Sequence, residues 1–260
     1  MFRTLMQRDD SGQTWLPAML GLFPNRREFS SDVLLKPGDL LACRFGAELK
    51  LHPPLQFLRW MAEHPLELRW PAYPIKDAYI RDMRQRLFQR GPYESDSQHC
   101  EQAMDEARHA INHFLGNKAR GIADDKWMKQ WWVLEGKTHV DCFIETTRMR
   151  IYVEGKRTES LSRTTSWYAK RNQLLRNLEC ASVHSGATPF VQVLITESMV
   201  PPLASKIIDD SLPHLSLDQR RELLSHYAGS STWAALCSAV GLEFTDLPDT
   251  VGDVMQSLDA

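Results

Sequence analysis

The chain has 260 residues, of which 43% are hydrophobic and 25% charged. That length can bury a large core, and the composition is ordinary for a folded globular protein, which excludes a low-complexity or collagen-like chain. A formal net charge of -2 excludes any global pull toward polyanions, so such an attraction has to come from a local patch.

Cys43, Cys100, Cys142, Cys180 and Cys237 form neither a CxxC pair nor a zinc-binding spacing. Cys142 and Cys180 lie inside apolar runs and read as buried thiols, and an odd, scattered set fits a reducing cytosol. The opening MFRTLMQRDD lacks an apolar run of signal-peptide length, and no later stretch approaches a membrane span. A cytoplasmic protein without membrane contact is the expectation.

Residues 1–95 are cut into short pieces by prolines at 17, 24, 37, 53, 54, 65, 71 and 74, each of which removes a backbone donor. Two helices stand out. Leu55 to Glu63 has helical apolar spacing, and Asp77 to Arg90 ends at Gly91-Pro92. The second carries Arg81, Arg84, Arg86 and Arg90, more simply a solvated face than a phosphate-binding one. This region reads as a partly helical extension. From Ser95 to Leu115, apolar residues recur at three- and four-residue steps until Gly116, and the helix carries Glu101 and Glu106. Trp127, Trp131 and Trp132 follow, for which packing outweighs base stacking.

Strands come next: a short one at Trp131 to Glu135, then Thr138 to Glu145 and Arg150 to Lys156. Alternation puts His139, Asp141 and Phe143 on one face and Val140, Cys142 and Ile144 on the other. In the last strand Ile151, Val153 and Gly155 oppose Tyr152, Glu154 and Lys156. Ser166 can cap a helix running to about Ala181, and Thr188 to Thr196 reads as a buried strand. Beyond residue 200 three short helices are expected, at Leu203 to Leu212, Leu217 to Tyr227 and Thr232 to Val240. That tail is acidic, whereas residues 145–177 hold eight basic residues against three acidic ones. The basic portion is where a polyanion would sit.

Asp141 and Glu154 on neighbouring strands supply two carboxylates, enough for Mg²⁺ when water and substrate fill its other positions. Glu154 and Lys156, two apart on one strand, project to the same face about 6–7 Å apart. The ammonium can then orient a water or stabilise charge on a phosphate, and Gly155 leaves its carbonyl open to a cation. The bland alternative is an edge-strand salt bridge between Glu154 and Lys156. A role for His139 in holding a metal ligand on the face it shares with Asp141 has less behind it than an ordinary polar strand residue.

Asp141, then Glu154-Gly155-Lys156, then a helix with Gln173, in αβββαβ order over roughly residues 96–197, resembles the PD-(D/E)XK nuclease superfamily. The resemblance implies an α/β, restriction-endonuclease-like fold: a core over 96–200 with a mixed sheet, an N-terminal extension over 1–95 and an acidic helical segment over 201–260. It implies Asp141, Glu154, Lys156 and Gln173 as catalytic residues, with Mg²⁺ or Mn²⁺ held by Asp141, Glu154 and the carbonyl of Gly155. Arg157, Lys170, Arg171 and Arg176 have the character of phosphate contacts. The expected activity is metal-dependent hydrolysis of nucleic acid, DNA ahead of RNA. The alternative is a catalytically silent nucleic-acid-binding or assembly module on the same fold. Two departures stand in the motif: Val140 replaces the Pro before the acid, and Asn177 stands where RecB-type and Cas4-type members carry a Tyr.

Overall fold

The computed structural model describes residues 1–23, 38–64, 67, 135, 137–157, 161–162, 165 and 168–246. The expected helices at Asp77 to Arg90 and Ser95 to Leu115, with Glu101 and Glu106, lie outside these residues, as do Trp127, Trp131 and Trp132.

Five strands form one mixed, open sheet among the described residues: β1 (Leu40–Leu51), β2 (Thr138–Thr146), β3 (Arg150–Gly155), β4 (Phe190–Thr196) and β5 (Tyr227–Thr232). They lie side by side in chain order, β1 and β3 antiparallel to β2, then β4 parallel to β3 and β5 parallel to β4. The β2–β3 hairpin is closed by its own threonine, since the Thr146 hydroxyl donates to Met149 O and accepts from Met149 N–H. Parallel pairs need a crossover. α4 (Gln173–Ser185) joins β3 to β4, and α5 (Ser205–Ser211) and α6 (Leu217–Ser225) join β4 to β5. All seven residues of β4 are buried, as its unbroken run FVQVLIT requires of a strand covered on both faces.

Helices cover both faces. On one lie α1 (Phe2–Arg8), α2 (Trp15–Leu20) and α7 (Trp233–Ala239), where Leu16, Met19 and Leu236 meet Ile151, Val153 and Val193. On the other, Leu175 and Leu178 of α4 and Leu223 of α6 meet Phe143 and Tyr152. α3 (Leu55–Glu63) adds Phe57, which the Arg171 guanidinium overlies at 3.9 Å. No helix among the described residues is long and apolar enough to cross a membrane. The four described cysteines are free thiols, and Cys142 and Cys180 are buried as expected.

Two expectations are corrected and one strand is added. The strand expected at Trp131 to Glu135 lies outside the described residues apart from Glu135, and the neighbour of β2 opposite β3 is β1, drawn from the proline-cut region. Its alternation is obscured by charged residues and by a register shift between Phe45 and Leu49. The helix expected from Ser166 begins instead at Gln173, because Asn172 is extended and its side chain caps Leu174 and Leu175 N–H. The acidic tail is not purely helical, since Tyr227–Thr232 forms β5. The sheet therefore takes strands from all three expected segments, and the boundaries at 95 and 200 do not divide it. A smaller difference concerns β2, where Val140 packs in the same cluster as Phe143 and apart from Cys142 and Ile144.

Candidate functional site

The β2–β3 ladder reaches the Cys142–Val153 pair, and just beyond it the Gly155 N–H donates to the Asp141 carboxylate at 2.9 Å. A side chain thus supplies the acceptor at the point where the strands part. Glu154 projects from the same face. Its carboxylate is buried at 2% exposure, while Asp141 is 48% exposed. Lys156 Nζ lies 2.8 Å from Glu154 Oε1 and 3.6 Å from Asp141 Oδ2. Asp141, Glu154 and Lys156, chosen from sequence, therefore converge at one end of β3.

Gln173 joins them from the first turn of α4. Its Nε2 donates to Glu154 Oε1 at 2.7 Å, and its Oε1 accepts from Ser162 N–H, which sets the orientation of the amide. Asn177, one turn on, donates to Glu154 Oε2 at 2.7 Å and accepts from the Thr138 hydroxyl. The Gln173–Asn177 spacing of four places both amides on one helix face. The roles of Asn177 and Thr138 were missed. The only sequence sign was that Asn177 departs from the motif's Tyr.

Burial pushes Glu154 up to about 7, and the neighbouring Asp141 carboxylate adds to the push; Lys156 and Asn177 pull the other way. With both acids ionised and Lys156 charged, the trio carries one net negative charge. A buried carboxylate that resists ionising beside a second acid is relieved by a cation, so the donor set fits a hard divalent ion. Among the described residues no group of three or more His, Cys, Asp or Glu is placed to hold a metal. Mg²⁺ needs fewer, since it keeps several waters beside one or two carboxylates.

Behind the site stands Trp233, a residue that sequence reading passed over. Its indole N–H donates to the Lys156 carbonyl at 2.9 Å, and a Cβ built on Gly155 would lie 2.7 Å from its ring. Only glycine leaves room for that ring. Nothing local in the sequence signals a contact between residues 155 and 233.

The basic residues fare differently. Arg171 is a correction: its side chain is fully buried, pairing with Glu135 at 3.2 Å and with Glu179 at 2.7 Å, and it offers no surface to a phosphate. Burial opposes its charge, but Glu135 and Glu179 outweigh that and raise its pKa. Arg176 is mostly enclosed against the same Glu135, and Arg157 lies 3.4 Å from Glu197. Lys170 is half exposed beside Glu67 at 3.5 Å; an exposed pair of this kind opens at little cost, so Lys170 is the best placed of the four to meet a phosphate. Acids from outside the basic window thus neutralise much of the expected patch. His139 is exposed on β2 opposite Lys50.

Compared with known proteins, the chain matches no family model, no curated protein and no solved structure.

Proposed function

We propose that the chain is a metal-dependent nuclease that hydrolyses phosphodiester bonds, DNA ahead of RNA. The observation that carries this reading is the convergence of Asp141, Glu154 and Lys156, with the ammonium within 3.6 Å of both carboxylates. The sheet supports it in part: the antiparallel β2–β3 pair, a helix and a parallel β4 follow the order that the PD-(D/E)XK resemblance implies, whereas β1 comes from residues 40–51, outside the stretch that carries it.

Asp141, Glu154 and the Gly155 carbonyl would hold Mg²⁺ or Mn²⁺, which supplies charge neutralisation and lowers the pKa of a bound water. The remaining work falls to the chain. Hydrolysis bonds a water oxygen to phosphorus, breaks the ester P–O bond and protonates the leaving oxygen. Lys156 presents N–H donors, which orient the attacking water and stabilise charge on the phosphoryl oxygens. Gln173 holds Glu154 with a neutral amide that adds no charge to the site.

The test is a cleavage panel of single-stranded, double-stranded and branched DNA and of RNA, with Mg²⁺ or Mn²⁺. Cleavage is expected to need the ion and to fall at least ~100-fold in Asp141→Ala and Lys156→Ala with folding unchanged. Persistent cleavage in those variants would sink the proposal. Salt-sensitive binding with no cutting of any substrate would leave the silent binding module instead.

A further inference from the structure

We infer that Asn177, oriented by Thr138, is the positioning residue that aims the Glu154 carboxylate at Asp141 and Lys156. The inference rests on the reading of this site as a cation site and adds two residues to it. Thr138, Asn177 and Glu154 are all buried, and they form a relay from β2 through α4 to β3. The amide can serve Glu154 in one orientation only. Were it reversed, Asn177 Oδ1 would face a carboxylate oxygen and repel it. The carboxylate thus calls for Nδ2 toward Oε2, and the Thr138 hydroxyl holds the amide in that orientation by donating to Oδ1.

The chemical type of the clamp matters as much as its place. A carboxylate at 2% exposure needs hydrogen-bond donors. Had both flanking donors been Arg or Lys, the positive charge would cancel the attraction for a cation. Gln173 and Asn177 satisfy the two oxygens with neutral amides, and among the described residues Lys156 is the cation paired with Glu154. Thr138 and Asp141 are three residues apart on β2. One reaches Glu154 through Asn177 and the other ties Gly155 directly, so a single strand sets both the ligand and the backbone beside it.

The experiment measures Mn²⁺ affinity by titration calorimetry and metal-free crystal structures for the wild-type chain, Asn177→Leu, Thr138→Val and Thr138→Ser, with circular dichroism confirming the fold. Losing a group that orients a metal ligand sets the expected scale: Asn177→Leu weakens Mn²⁺ binding ~10–100-fold and Thr138→Val about tenfold. Thr138→Ser, which keeps the hydroxyl, stays near wild type. In Asn177→Leu the Glu154 carboxylate turns away from Asp141. Unchanged Mn²⁺ affinity in a folded Asn177→Leu, or an unmoved Glu154, overturns the inference. Should Asn177→Leu not fold, the Thr138 pair decides: equal affinities in Val and Ser variants overturn it. Should the wild-type chain bind no Mn²⁺, the cation reading falls, and the position of Glu154 in the variant structures alone decides for or against the clamp.

Discussion

Glu154 is pressed two ways, upward by burial and by Asp141, downward by an ammonium at 2.8 Å and the amide of Asn177, and the upward pressure wins. Without a divalent ion the folded chain therefore holds this proton more tightly than the unfolded chain, whose glutamate titrates near 4.5. The stability it contributes is complete below pH about 4.5 and is lost as pH rises through about 7. Urea melts in a chelator should show a wild-type loss on the order of 3 kcal/mol across that window, largely absent in Glu154→Gln. The same proton competes with a cation, so Mn²⁺ affinity should climb with pH and level off above about 7. Gly155 makes a second residue-scale case. Gly155→Ala would drive a methyl into the Trp233 ring, which the Lys156 carbonyl holds in place. A loss of about 1–3 kcal/mol is expected by denaturation, with Trp233→Ala in the same chain relieving most of it.

At the scale of elements, the start of α4 decides what the basic run does. Asn172 is extended, accepts from Leu174 and Leu175 N–H and donates its own N–H to Ser211, and before it a turn closed by the Arg171 N–H on the Tyr168 carbonyl carries Arg171 inward. There it meets Glu135, Glu179 and the Ser211 carbonyl, with the Phe57 ring beneath. Burial alone would raise the Glu179 pKa, but Arg171 and His214 hold it below the usual glutamate range. Removing one member of such a set strands a buried charge. Arg171→Ala should cost about 3–5 kcal/mol in chemical denaturation, whereas a phosphate contact would leave stability unchanged and lower only nucleic-acid affinity. Asn172→Ala should cost about 1 kcal/mol as a lost cap and loosen Gln173 next to it.

At the scale of the whole molecule, β5 makes the acidic tail part of the sheet. β5 pairs with β4, and Trp233 directly after it reaches back to Lys156. A chain cut after residue 200 would leave the apolar β4 as a bare edge, the arrangement that templates aggregation. Expression of residues 1–200 should yield aggregated material, and a soluble monomer of that length in size-exclusion chromatography would show that the tail is dispensable. The sheet's legibility in sequence varied for physical reasons. β2, β3 and β4 carry branched and aromatic residues in the period of a strand. β1 breaks that period at a bulge, and YAGSST in β5 has little strand preference of its own, pairing because β4 presents an edge.

The sequence by itself determined the chemistry within reach: Asp141 and the Glu154-Gly155-Lys156 run, whose spacing on strands is local and has period two. It also determined α3 and the apolar central strand. Only the tertiary structure decided which amides close on Glu154, that Trp233 backs Gly155, and that Arg171 serves the core instead of the surface. Those outcomes join residues 23, 78 and 36 positions apart. Contacts across such separations depend on how the sheet orders its strands, and no local pattern of residue types encodes that order.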